Sequence, residues 1–247
     1  MRPIKKHCSP KLMGKYKELL KKEKNPNFEQ LQQAAGNELN HSLAREQGFI
    51  CCYCMNEITE RKDKEGKVIQ KDGLPWLKMK IEHFKSQKNN KKAVTDYKNL
   101  LCACQGGCVS GEKKGKEKSY CDSYKLEDDF VHIKNPAAVK VKDFDRAFQL
   151  RYNYEGKIRS IDKDIDKELN TILNLNVQTL KKMRKAAWDS ISTEMTKHCK
   201  KSNWADGEAF AKDLIIQYQN RKKEDDKFFR YSEMIIFLLK KRFKNLR

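Results

Sequence analysis

Apolar residues recur at helical spacing near the start of the chain. Leu12, Tyr16, Leu19 and Leu20 share one face of a helix expected over Lys11 to Lys22, which Asn25-Pro26-Asn27 breaks. Leu31, Ala34, Ala35, Leu39, Leu43 and Ala44 predict a second helix from Phe28 to Gln47, with Gly48 as its cap. The period then changes. After the Asp72-Gly73 turn signal, Leu77, Met79 and Ile81 alternate with Lys78, Lys80 and Glu82, as in a half-buried strand. A shorter apolar segment follows at Asn99-Leu100-Leu101, and Lys85 to Lys92 between the two reads as an exposed basic loop. Residues 126–160 read as irregular, with short strands at Phe130 to Ile133 and Gln149 to Tyr154.

Helical spacing returns at Ile161. Helices are expected over Ile161 to Leu173, Val177 to Cys199, Trp204 to Arg221 and Phe228 to Phe243, with Arg221 to Lys227 as a charged linker. Their apolar stripes read as core, as do Trp188 and Trp204. The densest run, Met234 to Leu239, reads as a partner surface. The expected organisation is α+β and mainly helical: an N-terminal helical segment (1–48), a cysteine-rich central unit (49–125) and a C-terminal, mainly helical partner-binding region (126–247).

Composition narrows the function classes. Only 38% of residues are apolar and 36% are charged, so solvated helices around a modest interior are expected. The 54 Lys and Arg outnumber 34 Asp and Glu, a net charge of +20 that favours a polyanionic partner, nucleic acid first. A membrane surface is disfavoured, because no basic stretch carries a strong apolar face. No segment approaches the ~20 apolar residues of a membrane span. The opening Met-Arg-Pro-Ile-Lys-Lys-His has no apolar signal core. A cytosolic protein is expected.

In that compartment thiols stay reduced, so nine cysteines do not suggest disulfides. Seven of them lie between Cys51 and Cys121, which points to metal. Cys51 and Cys54 form a CxxC pair able to grip one zinc ion from a tight turn. Cys102, Cys104, Cys108 and Cys121 are all available for the second pair, and a glycine-rich loop separates Cys104 from Cys121. A redox CxxC would sit in a thioredoxin-like pattern, which is missing. Cys8 and Cys199 are remote and read as packing residues.

His83 closes the alternating strand between the two halves of this cluster, and Asn99 follows sixteen residues later. Taken with Cys51-x-x-Cys54, the runs Ile81-Glu82-His83-Phe84, Tyr97-Lys98-Asn99-Leu100-Leu101-Cys102-Ala103-Cys104 and Cys121-Asp122-Ser123-Tyr124-Lys125 resemble the HNH, or ββα-metal, endonucleases. Within them the chain looks most like the PtuB-like group of retron and Septu antiphage systems. Met1-Arg2-Pro3-Ile4-Lys5-Lys6 and Leu173-Asn174-Leu175-Asn176 are similar to that group as well. The nuclease motif covers Cys51 to Lys125, and the weaker resemblance extends over most of the chain.

The resemblance implies a zinc-stapled ββα-metal unit between the N-terminal helices and a C-terminal helical bundle. Cys51, Cys54, Cys104 and Cys121 would hold structural Zn²⁺, with Cys102 in reserve for the third place and Cys108 free. His83 would be the general base, and Asn99 would fix its ring by a direct or indirect hydrogen bond. Glu82 would lie on the opposite strand face or twist into the site as a ligand of the catalytic Mg²⁺ or Mn²⁺. Asp122 stands where the family usually has His or Asn, and Tyr120 where many relatives have His. A carboxylate at Asp122 is itself a suitable hard ligand. The implied partners are a nucleic-acid substrate and an ABC-type, PtuA-like ATPase, with a retron reverse transcriptase and its RNA–DNA as a further one. DNA is the favoured substrate, with tRNA or other RNA open. Lys85, Lys88, Lys91 and Lys92 could steer phosphates towards His83. The Lys113 to Lys118 loop lacks Walker spacing, so nucleotide binding is not expected there. The competing reading is a non-catalytic zinc ribbon that binds nucleic acid or protein, which accounts for the cysteines and the charge but not for His83 and Asn99.

Overall fold

The Ser9 hydroxyl accepts from the Leu12 N–H and Pro10 stands in the first turn, so helix α1 (Pro10–Lys22) begins where its free N–H groups are satisfied or absent. Asn27 and Gln30 form a reciprocal capping box that starts α2 (Phe28–Ala35). The single helix expected from Phe28 to Gln47 is broken. Gly36 adopts φ 59°, ψ −150°, and the chain restarts as α3 (Asn37–Glu46). The cause is a distant residue. The Asp72 carboxylate accepts from the Asn37 N–H at 2.8 Å and lies 2.7 Å from where a Cβ on Gly36 would stand. Asp72 thus caps α3 from outside, and only glycine leaves it room.

These observations come from a computed structural model that describes residues 1–107, 118–201 and 204–243, and side chains except over 200–206. Asp72 itself sits in a two-residue turn between β1 (Gln70–Lys71) and β2 (Leu74–Pro75). Both Asp72 and Gly73 have positive φ, 52° and 74°, as a tight hairpin turn requires. The predicted alternating strand is β3 (Met79–His83). It pairs antiparallel with β4 (Leu100–Cys104), in a register that sets His83 opposite Leu100 and Met79 opposite Cys104. Every residue of β4 is buried, whereas β3 is closed over only at Glu82 and His83. A short helix, α4 (Asp122–Lys125), follows.

The second half contains α5 (Phe144–Phe148), a hairpin of β5 (Leu150–Tyr152) and β6 (Ile158–Ser160), then α6 (Lys163–Thr171), α7 (Gln178–Lys201), α8 (Trp204–Gln219) and α9 (Ser232–Arg242). The strand expected at Phe130 to Ile133 does not form. The N–H groups of Val131, His132 and Ile133 donate to the Glu168 carboxylate of α6 and not to a neighbouring strand. The last helix starts at Ser232 and not at Phe228, because Tyr231 has left-handed backbone (φ 57°, ψ 24°), held there as its N–H donates to Met55 O while Phe228 donates to Gly48 O. The partner surface expected at Met234 to Leu239 is interior. Met234, Ile235, Ile236, Leu238 and Leu239 are all buried, because α9 packs against α7, α8 and β5.

The core is continuous from Met1 to Phe243 and draws on all three expected segments. The result is a mixed fold of helices and small two-stranded sheets. Trp188 is buried, as expected. Cys108, residues 111–117 of the glycine-rich loop and the Trp204 side chain lie outside the described residues. No helix among the described residues is long and apolar enough to cross a membrane.

Candidate metal centre and histidine site

Three pieces of chain converge on the cysteines. The turn Cys51–Met55 is closed by the Met55 N–H on Cys51 O at 3.1 Å, and the Asn56 N–H points at the Cys54 sulfur at 3.5 Å. Cys104 ends β4. Cys121 opens α4 at φ 56° and is tied to the C-terminal half by its N–H on Leu173 O at 2.9 Å. Gly106 permits that approach, since a Cβ there would collide with the Tyr120 carbonyl.

The four Sγ atoms of Cys51, Cys54, Cys104 and Cys121 lie within 4.8 Å of one another, and all four residues are buried. Cys51 and Cys121 are 3.8 Å apart and Cys54 and Cys104 3.7 Å. A disulfide needs about 2.05 Å. A tetrahedral ion with Zn–S bonds of about 2.3 Å separates its sulfurs by about 3.8 Å. The group therefore fits a thiophilic tetrahedral cation and could hold a metal ion such as zinc. Burial works to raise the Cys51 thiol, but hydrogen bonds from Cys104, Cys121, Cys52 and Cys54 outweigh it and hold Cys51 well below its ordinary range. Cys102, the reserve third ligand, is outside this group, with its sulfur on the Met79 sulfur at 3.5 Å.

His83 lies at the inner end of β3 and is only 6% exposed. Its Nε2 is 2.9 Å from the Val94 carbonyl. A carbonyl can only accept, so Nε2 carries the proton and Nδ1 keeps its lone pair. Burial lowers the pKa of His83 from its ordinary 6.5, against the opposing pull of the Val94 carbonyl and Asp122. The Phe28 ring of α2 meets the imidazole edge-on, centroids 4.4 Å apart.

The Asn99 side chain makes its hydrogen bonds to the neighbouring loop and not to the His83 ring. Its Oδ1 accepts from the Lys85 N–H at 2.8 Å, and its Nδ2 donates to Lys85 O and Ala93 O, both at 3.0 Å. Asn99 therefore clamps both ends of the loop that presents the Val94 carbonyl to His83. Asp129 holds the middle of that loop through the Ser86 N–H at 2.6 Å and the amides of Asn89 and Asn90. No sequence signal marked Asp129.

Glu82 points to the other face of β3 and is 1% exposed. Tyr53 donates to its Oε1 at 2.6 Å, and the Lys125 ammonium lies 3.0 Å from the same oxygen. Burial and a hydrogen bond with Asp122 push the Glu82 carboxyl well above its ordinary range, against the pull of Lys125 and Tyr53. Asp122 is also paired with Lys80 at 3.2 Å. The structure thus brings Glu82 and Asp122 together; strand alternation turns Glu82 away from the ring face of His83, while the charge of Asp122 reaches the ring as well. Lys125, itself 1% exposed, also donates to the His83 carbonyl at 3.1 Å. Sequence reasoning gave Lys125 no role, and its place four residues after Cys121 in the quoted motif was the only signal.

Lys85, Lys88, Lys91 and Lys92 are exposed around the loop, as expected, with Lys88 paired to Glu127 at 3.4 Å. No protein-family model matches the chain, and no curated protein matches it.

Proposed function

We propose that this protein is a metal-dependent HNH-type endonuclease that hydrolyses phosphodiester bonds in nucleic acid. The observation that carries the reading is the histidine at the end of β3, with Nε2–H tied to the Val94 carbonyl, in a hairpin whose opposite end carries Cys104 of a four-cysteine group of tetrahedral dimensions. The order β3, β4, α4 fits a ββα-metal unit closed by structural zinc.

The chemistry follows from the tautomer. A neutral His83 offers Nδ1 to a water proton. The water oxygen bonds to phosphorus as the bond to the leaving sugar oxygen breaks, and that oxygen is reprotonated from solvent. Asp122, whose charge reaches His83, would hold a Mg²⁺ or Mn²⁺ ion whose charge would offset that on the phosphate and leaving oxygen, and Glu82 would join it only by giving up its buried contacts to Tyr53 and Lys125. Lys125 would balance Glu82, and Asn99 positions His83 through the loop. Phe28 covers the imidazole, so substrate entry requires α2 to yield. By resemblance, the protein would be the effector of a cytoplasmic antiphage module of the PtuB-like type. It would act with an ABC-type ATPase and, in a retron, beside the reverse transcriptase and its RNA–DNA.

The burial of Glu82 and its contacts to Tyr53 and Lys125 favour a second reading, a non-catalytic zinc module that binds nucleic acid or protein. Metal analysis and cleavage separate the two. Wild type and His83→Ala are incubated with plasmid DNA or total tRNA and Mg²⁺ or Mn²⁺, with and without the ATPase. About one zinc per chain with His83-dependent cutting supports the nuclease, and the polymer cut identifies the substrate. Zinc with no cutting under any condition supports the module.

A further inference from the structure

A second basic feature lies in the C-terminal half, built from elements that contribute nothing to the histidine site. Between the β5–β6 hairpin and the end of α9 is an open cavity of about 650 Å³. Five cationic residues line it (Arg151, Lys157, Arg159, Lys240 and Lys241), with Phe237 as an apolar wall and no carboxylate residue in the lining. None of the five forms an ion pair with a carboxylate among the described residues.

The strand register makes this arrangement costly. Arg151 and Arg159 are directly opposite each other in the antiparallel pair, and both are exposed. Like charges in facing positions destabilise a hairpin. The next pair, Tyr152 and Ile158, is buried and anchors the hairpin to the core. Lys240 and Lys241 have an ordinary explanation, since cations complement the carbonyl end of a helix. That explanation does not reach the two facing arginines, whose repulsion an anion between them would relieve.

Aromatic surface adjoins the charge. The Arg151 guanidinium lies 5.7 Å from the centre of the Phe237 ring. Lys241 lies 5.0 Å from the ring centre of Tyr154, which is 39% exposed and rests on Trp188 with centroids 5.3 Å apart. Cations that track a phosphate backbone beside aromatic faces that stack on bases are the requirements for holding a single strand.

We propose that this groove binds a single-stranded segment of nucleic acid, with phosphates between Arg151 and Arg159 and a base against Phe237. The proposal extends the nucleic-acid reading above but takes nothing from His83. Binding is therefore measured in a His83→Ala background, by fluorescence anisotropy of labelled oligothymidylate and oligouridylate over a range of salt concentrations. Replacing both Arg151 and Arg159 by Ala is expected to weaken binding about tenfold and to make the log–log salt slope shallower by about 1.4, for two lost phosphate contacts. Phe237→Leu is expected to weaken binding with the salt slope unchanged. The double alanine variant should melt no lower than its parent, since it removes a repulsion from exposed positions. Equal affinity in the folded double variant overturns the proposal. ATP displacing the oligonucleotide at matching concentration would make the groove a mononucleotide pocket, and tighter binding of a duplex would make it a duplex surface; either result also overturns it. Intact binding with no cleavage by the wild-type protein counts only against the nuclease.

Discussion

The His83 imidazole and the Val94 carbonyl meet at 2.9 Å across eleven residues of chain. Asn99 closes the loop between them and so acts on His83 at one remove, through Lys85 and Ala93. Asn99→Ala is expected to lower the cleavage rate about tenfold to a hundredfold by freeing the ring that Val94 holds. Asn99→Asp keeps the acceptor for the Lys85 N–H but sets a buried carboxylate oxygen against the Lys85 and Ala93 carbonyls, so it should lower the rate at least as far as alanine. Single-turnover assays with zinc content measured alongside check this order. Loss of zinc in either variant would make Asn99 a scaffold residue only.

The low pKa of His83 makes a prediction about pH. A base must be neutral to act, and burial lowers His83 from its ordinary 6.5. The cleavage rate should therefore hold as pH falls through 6.5 and decline only below it. Phe28→Ala exposes the ring and should move this acid limb back towards 6.5. A limb that stays in place in the variant would mean that Phe28 is not the source of the burial.

The cysteines make a selective prediction. Cys51→Ser, Cys54→Ser, Cys104→Ser or Cys121→Ser should each abolish stoichiometric zinc and unfold the surrounding turn. Cys102→Ser and Cys52→Ser should retain the metal, because neither belongs to the four-sulfur group. Elemental analysis after chelator washing reads the result directly. Chelation strong enough to strip the metal should also lower the melting temperature, since this ion would hold three separate pieces of chain.

Lys125 and Glu82 are each 1% exposed and lie 3.0 Å apart. Lys125→Met removes the buried partner of a carboxyl and is expected to cost about 3 kcal/mol. Adding Glu82→Gln should recover part of the loss, because the amide still accepts from Tyr53 and needs no counter-charge. Urea denaturation of both singles and the double measures the coupling.

Glu168 provides a pH signature for stability. Burial works to raise its carboxyl, but the N–H groups of Ile133, Val131 and His132 outweigh it and hold the group below its ordinary 4.5. The folded carboxylate thus keeps its charge to lower pH than the unfolded one. Its contribution is complete above 4.5 and is lost as pH falls through the depressed folded value. Glu168→Gln should cost about 2 kcal/mol at neutral pH, with the gap to wild type closing in acid. A gap independent of pH would mean that shape rather than charge holds residues 131–133.

Sequence alone determined the elements that depend on near neighbours. The alternation ending at His83, the Asp72-Gly73 turn, the break at Asn25-Pro26-Asn27 and the clustering of cysteines all follow from local sterics and periodicity. Only the tertiary structure decided what depends on residues far apart in the chain. Asp72 broke the helix at Gly36, and Glu168 took the N–H groups that would have made a strand of Phe130 to Ile133. The Met234 to Leu239 run is dense because it is buried on several sides, a reading that periodicity cannot separate from a docking face. Among the cysteines, spacing left Cys102 and Cys104 as rivals because they share one face of one strand, and the position of Cys121 beside Cys104 chose between them. Lys125 and Asp129 were silent in the sequence for the same reason. A charged residue looks the same on a solvated face and in a buried pair, and only packing supplies the partner that gives it a role.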